Sequence, residues 1–411
     1  MSKTIKKTAA FLLLAALVLL AALRVTVSSM LPDTFYLAGE EQLRIASLPF
    51  VSARQPQGEV AAASTEPGSS YNVDLRLFGL LPLKTVRAEM VQRRRVEVCG
   101  TGFGIKMFSS GVMVVGFSDI LSTGGYENPA KDAGLSLGDY VITVDGTKVK
   151  TNEQMGELVG KSNGAPLEVV YTHDGERRTT SLQPVKDRAT GGWRAGMWVR
   201  DSSAGIGTLT FIDTNASVFA GLGHSITDVD TGENVSLGSG EIVPVDISGA
   251  VAGTPGLPGE LKGSFASFVP MGTIRVNGDT GVYGLIYDTA GKGAMMETAQ
   301  QQEVVPGPAQ ILTTIDGEGP KAYDVEIEEL SFNAADPNKN MMLHVTDKKL
   351  LAQTGGIVQG MSGSPIIQNG RLVGAVTHVL VRDPTRGFGI FVENMLKTAD
   401  QVTAGKNGEA A

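Results

Sequence analysis

Apolar residues follow three different patterns along the chain. Residues 9–23 form one unbroken apolar run, AAFLLLAALVLLAAL, with lysines shortly before it. Residues 51–70 contain few large apolar side chains and many alanines, serines, glycines and prolines. From residue 72 onward apolar and polar residues alternate over short stretches, as in residues 323–328, which is the periodicity of β-strands. The chain therefore combines a candidate membrane segment, a flexible tether and a body made mainly of strands.

The N-terminal apolar run predicts a signal anchor or transmembrane segment over residues 1–31. At about 1.5 Å per residue the run is short for a hydrocarbon core of roughly 30 Å, but it extends to Leu31 if Arg24 directs its guanidinium to the head groups. No A-x-A cleavage site follows, which favours a retained anchor over a removed signal peptide. The lysines predict a cytoplasmic N-terminus and a body across the membrane. A buried core helix is the alternative.

The segment after the anchor is predicted to be irregular and then extended. A flexible tether covers residues 32–71, and its exposed backbone offers a place for proteolysis. A short β segment follows over residues 72–95, where two strand patterns flank the sequence LLPL.

A compact module is predicted over residues 96–187. Residues 129–149 read PAKDAGLSLGDYVITVDGTKV, and a helical pattern and two further strands follow them. These features resemble a PDZ domain, which binds a peptide as an added strand while backbone amides of a glycine-rich loop hold its carboxylate. The candidates for that loop are Gly102, Phe103, Gly104 and Ile105. The alternative is a plain turn in a domain that serves as a spacer.

Residues 188–398 continue as short strands at intervals of about ten to fifteen residues, a spacing typical of an antiparallel barrel or sandwich. Glycine accounts for 52 of the 411 residues, well above the usual ~7%, and supplies the tight turns that such a fold needs. Residues 399–411 form a small polar tail.

Charge and cysteine content narrow the function further. A net charge of −8 argues against nucleic acid as a partner, because phosphate binding needs a basic face. Cys99 is the single cysteine, so no internal disulfide forms. The four histidines are widely separated and no CxxC or HExxH motif occurs. We therefore predict neither a metal site nor another cofactor.

The strongest chemical candidate is Ser362 in the run Gly-Met-Ser-Gly-Ser-Pro at residues 360–365. Glycines at 360 and 363 allow a tight turn in which the amides of Gly360 and Ser362 face one pocket, as an oxyanion hole requires. Ser364 is the rival nucleophile, but it precedes Pro365 and is thereby biased towards an extended conformation. The alternative is that residues 360–365 form an ordinary turn between strands with no catalytic role.

A serine nucleophile needs a histidine base and a group that orients the imidazole. His224 follows the apolar stretch 218–222 and therefore lies at the end of a strand, while His378 is the rival base. Asp347 is the candidate third group, although it could equally be an exposed turn residue beside two lysines. Asp228 and Asp230 lie near His224 in sequence and are alternatives.

Two motifs carry a resemblance to known peptidases. The run Gly-x-Ser-Gly-x-Pro resembles the nucleophile loop of chymotrypsin-like serine peptidases, with Met361 where an acidic residue often stands. Together with the anchor, the PDZ-like module and the sequences AGLGHSITDVDTG and GIVQGMSGSPIIQNGRLVGAVTHVLVRDPTRGFGIFVENML, it is similar to the stage IV sporulation protein B family of serine peptidases in endospore-forming bacteria. The resemblance implies a mainly β fold with a chymotrypsin-like antiparallel barrel over residues 188–398.

The resemblance also implies roles for individual residues. Ser362 would be the nucleophile, His224 the general base and Asp347 the third member of the triad. Thr377 and His378 would border the substrate cleft.

The same resemblance implies a biological role. The substrate would be a membrane-bound regulator similar to stage IV sporulation protein FA, whose cleavage releases an intramembrane protease that matures a sigma factor. The family also cleaves itself near the N-terminus, and its PDZ domain binds a peptide, with the chain's own segment as one candidate. The peptidase would lie in the intermembrane space of the forespore. A non-catalytic PDZ adaptor is the competing hypothesis. A periplasmic quality-control protease is disfavoured, because those place the peptidase before the PDZ domain.

Overall fold

The computed structural model describes residues 3–39, 42–54, 66–288 and 293–409. Its N-terminal part consists of one long helix and four strands: α1 Lys3–Met30, β1 Thr34–Ala38, β2 Val51–Arg54, β3 Ser70–Leu77 and β4 Leu81–Val91. Within α1 the stretch Ala10–Met30 has the length and composition of a membrane span, with a mean hydropathy of 2.5. Helix α1 therefore suggests a membrane anchor or a signal sequence.

The four N-terminal strands pair in the order β1-β4-β3-β2. Strand β1 runs parallel to β4, and Phe35 and Leu37 of β1 are buried with Leu75 and Val86. The prediction of a flexible tether over residues 32–71 is therefore wrong where β1 and β2 form, because distant strands bury their few apolar side chains. Residues 55–65 of that tether lie outside the described residues.

The next elements, in chain order, are β5 Arg95–Val98, β6 Gly102–Phe117, β7 Ile120–Leu121, β8 Tyr126–Glu127, α2 Pro129–Asp132, β9 Tyr140–Val144, β10 Thr147–Lys148, α3 Asn152–Lys161, β11 Leu167–His173, β12 Glu176–Leu182, β13 Val185–Lys186 and β14 Trp193–Arg194. They are followed by β15 Met197–Asp213, β16 Val218–Gly221, β17 Leu237–Val251, β18 Glu260–Phe265, β19 Gly272–Gly278, β20 Gly281–Ile286, β21 Ala294–Glu297 and a 3₁₀ turn at Gln301–Glu303. The last are β22 Gly307–Thr313, β23 Lys321–Leu330, β24 Met341–Val345, α4 Lys348–Thr354, β25 Pro365–Gln368, β26 Arg371–Leu380, β27 Asp383–Phe391 and α5 Val392–Glu409.

Six of these strands close into a first barrel. Strand β6 pairs with β17, and the ring continues through β19, β20 and β16 to β15, which pairs again with β6. Every pairing is antiparallel, and the interior holds a cluster of buried apolar side chains that includes Phe103, Phe219 and Ile242. A second barrel closes in the order β22-β23-β24-β27-β26-β25. The prediction of a mainly β fold with an antiparallel barrel is confirmed.

The first barrel corrects the predicted peptide-binding loop. Gly102, Phe103, Gly104 and Ile105 lie in β6, between β15 on one side and β17 on the other. Phe103 and Ile105 are 1% and 3% exposed. The loop prediction is therefore wrong, because the backbone of these residues is paired on both sides and is not available to a peptide carboxylate.

The PDZ domain is an insertion in the first barrel. The second half of β6 leaves the barrel and pairs with β9, which continues the sheet through β11 and β12. Helix α3 packs beside this sheet, and Val112, Met155 and Val169 lie in its core. The chain then returns to the barrel through β15. The predicted boundary at residue 188 is therefore wrong for the barrel, which takes β6 from the sequence before the PDZ core.

Helix α5 corrects the prediction of a polar tail over residues 399–411. It continues to Glu409, and Ala399 and Val402 are buried in a cluster that contains side chains of both barrels. Asp400 forms a 2.5 Å ion pair with Arg94. Ala399 and Val402 extend the apolar face that Val392, Met395 and Leu396 begin, and this face docks the helix.

The placement of β6 in the barrel gives a test by stability. Replacing Phe103 with alanine is expected to lower the free energy of unfolding by about 3–5 kcal/mol, the usual effect of removing a buried phenylalanine. Chemical denaturation monitored by circular dichroism measures the change. Exposed Phe108, on the same strand, is the control and is expected to change stability by less than about 1 kcal/mol on replacement with alanine. A wild-type stability for Phe103→Ala would contradict the barrel assignment.

Candidate active site

Ser362 lies in the loop between α4 and β25, at the side of the second barrel that faces the first. Its hydroxyl donates a 2.7 Å hydrogen bond to the carbonyl of Thr377 in β26. The side chain is only partly buried, so it remains accessible to a substrate. Ser364 differs, because it is fully buried and its hydroxyl donates to the carbonyl of Met361 at 2.6 Å. The geometry favours Ser362 as the reactive serine and gives Ser364 a structural bond.

The nucleophile loop leaves two backbone amides without acceptors. The amides of Met361, Gly363 and Ser364 donate to backbone carbonyls of the protein. Within the described part of the chain, the amides of Gly360 and Ser362 have no such acceptor. Two amides that are not used by the protein and belong to the serine and a near neighbour are available to form an oxyanion hole.

Two threonines that the sequence analysis missed hold this loop against the first barrel. Thr208 donates its hydroxyl to the carbonyl of Gly360 at 2.8 Å and its amide to the carbonyl of Ser362 at 2.9 Å. Thr210 donates its hydroxyl to the carbonyl of Gly363 at 2.7 Å. Both are buried in β15, where they alternate with Leu209, which points into the first barrel, so the two threonines lie on the face of the strand that packs against the second barrel. Their alternation in the sequence was the available signal.

Glycine is required at 363 by this close approach. Its φ is +94°, and an added Cβ would overlap the carbonyl oxygen of Thr208 and the amide of Leu222. The loop therefore lies directly on the backbone of the first barrel, which brings Ser362 to the boundary between the barrels.

His224 comes from the first barrel, three residues after β16. Its Nδ1 lies 2.7 Å from the carbonyl oxygen of Ser225. Because a carbonyl oxygen only accepts hydrogen bonds, Nδ1 carries the proton and Nε2 is left as the acceptor. Burial lowers the pKa of His224 from its ordinary value, with a smaller opposing effect of the bond to Ser225. This is the neutral tautomer that a general base needs.

The ring of His378 from the second barrel packs against that of His224 in a tilted arrangement, with centroids 4.5 Å apart and an interplanar angle of 32°. Burial, and then repulsion from His224, lower the pKa of His378 to about 4, while Asp336 opposes the shift. Thr377 beside it donates its hydroxyl to the carbonyl of Asn338 at 2.7 Å. The structure thus brings Ser362, His224, Thr377 and His378 together between the two barrels.

Asp347 is not brought to this group. It is the N-cap of α4, and its Oδ1 accepts hydrogen bonds from the amides of Lys349 and Leu350 at 2.8 and 2.9 Å. Its other oxygen faces the amide of Asp324 at 3.5 Å, and none of its described hydrogen bonds reaches His224. The structure therefore contradicts Asp347 as the group that orients His224, because the carboxylate is committed to a helix terminus.

The two other aspartates weighed for that role are also occupied. Asp228 and Asp230 both pair with Arg200, the latter at 2.5 Å. The orienting acceptor at Nδ1 is instead the backbone carbonyl of Ser225, for which side-chain identity in the sequence gives no signal.

Substitution of Asp347 distinguishes a helix-capping role from a role in a catalytic triad. Asparagine caps helices about as well as aspartate, whereas alanine at an N-cap costs roughly 1 kcal/mol. We expect Asp347→Asn to keep both stability and activity, and Asp347→Ala to lose stability and to lower activity by loosening α4, which leads into the nucleophile loop. In a triad, by contrast, an asparagine in this role costs about 10⁴-fold in kcat. Thermal unfolding and the rate of fluorophosphonate labelling are measured together, and a 10⁴-fold loss in Asp347→Asn would restore the triad assignment.

If His224 is the general base, its lowered pKa sets the acidic limit of activity. A neutral imidazole is the form that accepts the serine proton, and burial keeps it neutral to lower pH than usual. Activity should therefore fall with decreasing pH only below the ordinary histidine value of about 6.5. The pH dependence of the fluorophosphonate labelling rate measures this limb. A half-maximal rate at or above that value would contradict the assignment.

A pair of six-stranded antiparallel barrels, with a serine loop on one and a histidine on the other, defines a serine peptidase of the double-barrel class. The family model for SpoIVB peptidase S55 matches residues 191–396, and one for the PDZ domain matches residues 102–183. The chain belongs to the SpoIVB peptidase S55 family.

Two further comparisons add little to this assignment. The chain is similar to the PDZ domain of the SdrC-like protein from Listeria monocytogenes at 20% identity, over 22% of this chain and 87% of that one, with a TM-score of 0.18. No curated protein matches the chain.

Proposed function

We propose that this serine peptidase is an endopeptidase whose nucleophile is Ser362 and whose general base is His224. The hydroxyl of Ser362 turns from Thr377 to Nε2 of His224, gives up its proton and attacks the peptide carbonyl. The amides of Gly360 and Ser362 stabilise the oxyanion, and His224 then protonates the leaving amine. His224 then takes a proton from water, which attacks the acyl-enzyme, and returns that proton to the oxygen of Ser362 as the product acid leaves. The two unused amides around Ser362 are the observation that carries this proposal.

The proposed substrate is a membrane-bound regulator similar to stage IV sporulation protein FA. Support comes from the position of the cleft relative to α1. Asn333 donates a 3.3 Å hydrogen bond to the carbonyl of Ser29 in α1, and five residues later the carbonyl of Asn338 accepts from Thr377. Five residues span at most about 18 Å. If α1 is a retained anchor, the cleft lies close to the membrane surface and favours a cut in a juxtamembrane segment.

A peptide ligand is proposed for the PDZ domain at a different place from the one predicted. The start of β15 pairs with β6 on one side only, and a groove of about 660 Å³ separates its other edge from α3. Met155, Val159 and Met197 line this groove. An exposed strand edge beside a helix accepts an extended peptide as an added strand.

Analysis of the purified N-terminus by mass spectrometry tests the peptidase and its self-cleavage together. Wild-type protein is compared with Ser362→Ala, and a co-expressed membrane-tethered substrate is compared with the same peptide in solution. We expect a new N-terminus in the wild type alone and faster cleavage of the tethered form. Intact chains in both proteins, with no fluorophosphonate labelling, would favour the competing non-catalytic adaptor. Equal rates for the two substrates would contradict the juxtamembrane assignment only.

A further inference from the structure

The turn between β3 and β4 exposes two large apolar side chains. Phe78 and Leu80 are 60% and 77% exposed, on either side of Gly79. The amide of Leu80 closes the turn onto the carbonyl of Leu77 at 3.1 Å. Single exposed apolar residues are ordinary on a protein surface, but here two of them form the whole tip of a hairpin.

The backbone conformation of this turn is unusual for a phenylalanine. Phe78 has a φ of +51° and Gly79 a φ of +73°. Tight hairpin turns with two positive φ values normally use Asn, Asp or Gly at the first position, because a bulky side chain is strained there. The amide of Phe78 donates to the carbonyl of Phe50 at 2.7 Å, and the two rings lie 5.9 Å apart. The turn geometry therefore does not account for a phenylalanine at this position.

The hairpin lies alongside α1. Lys84 donates to the carbonyl of Leu31 at 2.7 Å, and Arg24 donates through Nε to the carbonyl of Pro82 at 2.7 Å. The end of β4 that is nearer the turn therefore lies beside the part of α1 that is nearer the N-terminus. Leu20, one helical turn before Arg24, packs against the cluster of the N-terminal sheet together with Leu81. The tip is thus level with the apolar part of α1.

We propose that the tip formed by residues 78–80 inserts into the phospholipid bilayer beside α1, on the side that carries the peptidase. The partner follows from continuity with α1, whose stretch Ala10–Met30 meets the length and composition of a membrane span. Arg24 lies at the level where its guanidinium reaches head groups, and Phe78 and Leu80 reach the adjoining acyl chains. This inference rests on the proposal that α1 is a retained anchor.

The insertion gives the protein a second membrane contact besides α1. A single helix leaves the attached domains free to rotate about its axis, whereas two contacts fix which side faces the lipid. The loop that holds Asn333 against Ser29 then presents the cleft between the barrels at a constant height. The tip is therefore a positioning surface for membrane substrates.

Depth measurements on the full-length protein test the proposal. Leu80→Cys is labelled with an environment-sensitive fluorophore and reconstituted in phosphatidylcholine vesicles, with acyl-chain nitroxide lipids as quenchers. Cys99 is 2% exposed and is present in every sample, so unmutated protein gives the background labelling. Val229→Cys is the matched control, because Val229 is also an exposed apolar residue, at 89% exposure. Its neighbours Asp228 and Asp230 pair with Arg200, so this loop is polar and is expected to stay in water. Leu17→Cys reports whether α1 itself is inserted.

The expected result is a blue-shifted, nitroxide-quenched emission for Leu80→Cys and Leu17→Cys, and an aqueous emission for Val229→Cys. An aqueous Leu80 probe with an inserted Leu17 probe overturns the proposal while leaving the anchor intact. A blue-shifted Leu80 probe that lipid nitroxides do not quench indicates a protein partner and also overturns it. If the emission of both probes is aqueous, the result contradicts both the retained anchor and the insertion of the tip. None of these readouts depends on hydrolysis, so loss of peptidase activity is distinguishable.

Discussion

Ser362→Ala is expected to abolish peptide hydrolysis and fluorophosphonate labelling. Removing the nucleophile of a serine peptidase lowers kcat by about 10⁶-fold, because only the oxyanion hole and substrate binding remain. The fold should be unaffected, since the one hydrogen bond donated by Ser362 is to the carbonyl of Thr377 at the edge of the cleft. Labelling with a fluorophosphonate, followed by identification of the modified peptide, measures the effect.

Ser364→Ala is the matched control, two residues away in the same loop. Its hydroxyl is buried and bonded to the carbonyl of Met361, so its loss should cost about 1 kcal/mol of stability. Labelling should persist in this variant. If Ser364→Ala lost labelling while Ser362→Ala kept it, the nucleophile would have to be reassigned.

His224→Ala is expected to reduce hydrolysis by a similar factor, on the order of 10⁶-fold, because nucleophile and base act as one unit. Labelling should fall as well, since the fluorophosphonate also requires an activated serine. His378→Asn should have a much smaller effect, since His378 packs against His224 and is not the proposed base. The rates of labelling of the two variants at equal folded concentration are the measurement.

Two outcomes would revise the assignment of the base. A large loss in His378→Asn together with a mild one in His224→Ala would exchange the two histidines. A large loss in His173→Gln would point to a general effect on the fold, because His173 lies in the PDZ domain, where its Nδ1 is 2.6 Å from Asp139.

The carbonyl of Ser225 occupies the place that a triad gives to a carboxylate. A neutral acceptor fixes the tautomer of His224 but stabilises the imidazolium less than a charged one. Burial favours the same neutral state. We therefore expect this site to favour a few well-positioned substrates over rapid general proteolysis, as the proposed position of the cleft near the membrane also requires.

Local residue chemistry in the sequence predicted the reactive loop and the long apolar helix. Flanking glycines, the proline after Ser364 and the strand end before His224 act within a few residues, so they can be recognised without a fold. The order of apolar N-terminal helix, PDZ domain and peptidase domain could also be predicted from the sequence, since each has its own pattern of apolar residues.

Three features were decided only by the tertiary structure. The segment at residues 102–105 resembled a PDZ loop, but the pairing of β6 with β15 and β17 places it in a barrel, and strand pairing between residues a hundred positions apart leaves no local trace. The family resemblance pointed to Asp347, yet a helix begins at the next residue and its first amides bind the Asp347 carboxylate. Thr208 and Thr210 hold the loop from another barrel. The sequence by itself therefore indicated which residues are candidates for the chemistry, while the packing of the two barrels decided which of them meet, because that depends on long-range strand register.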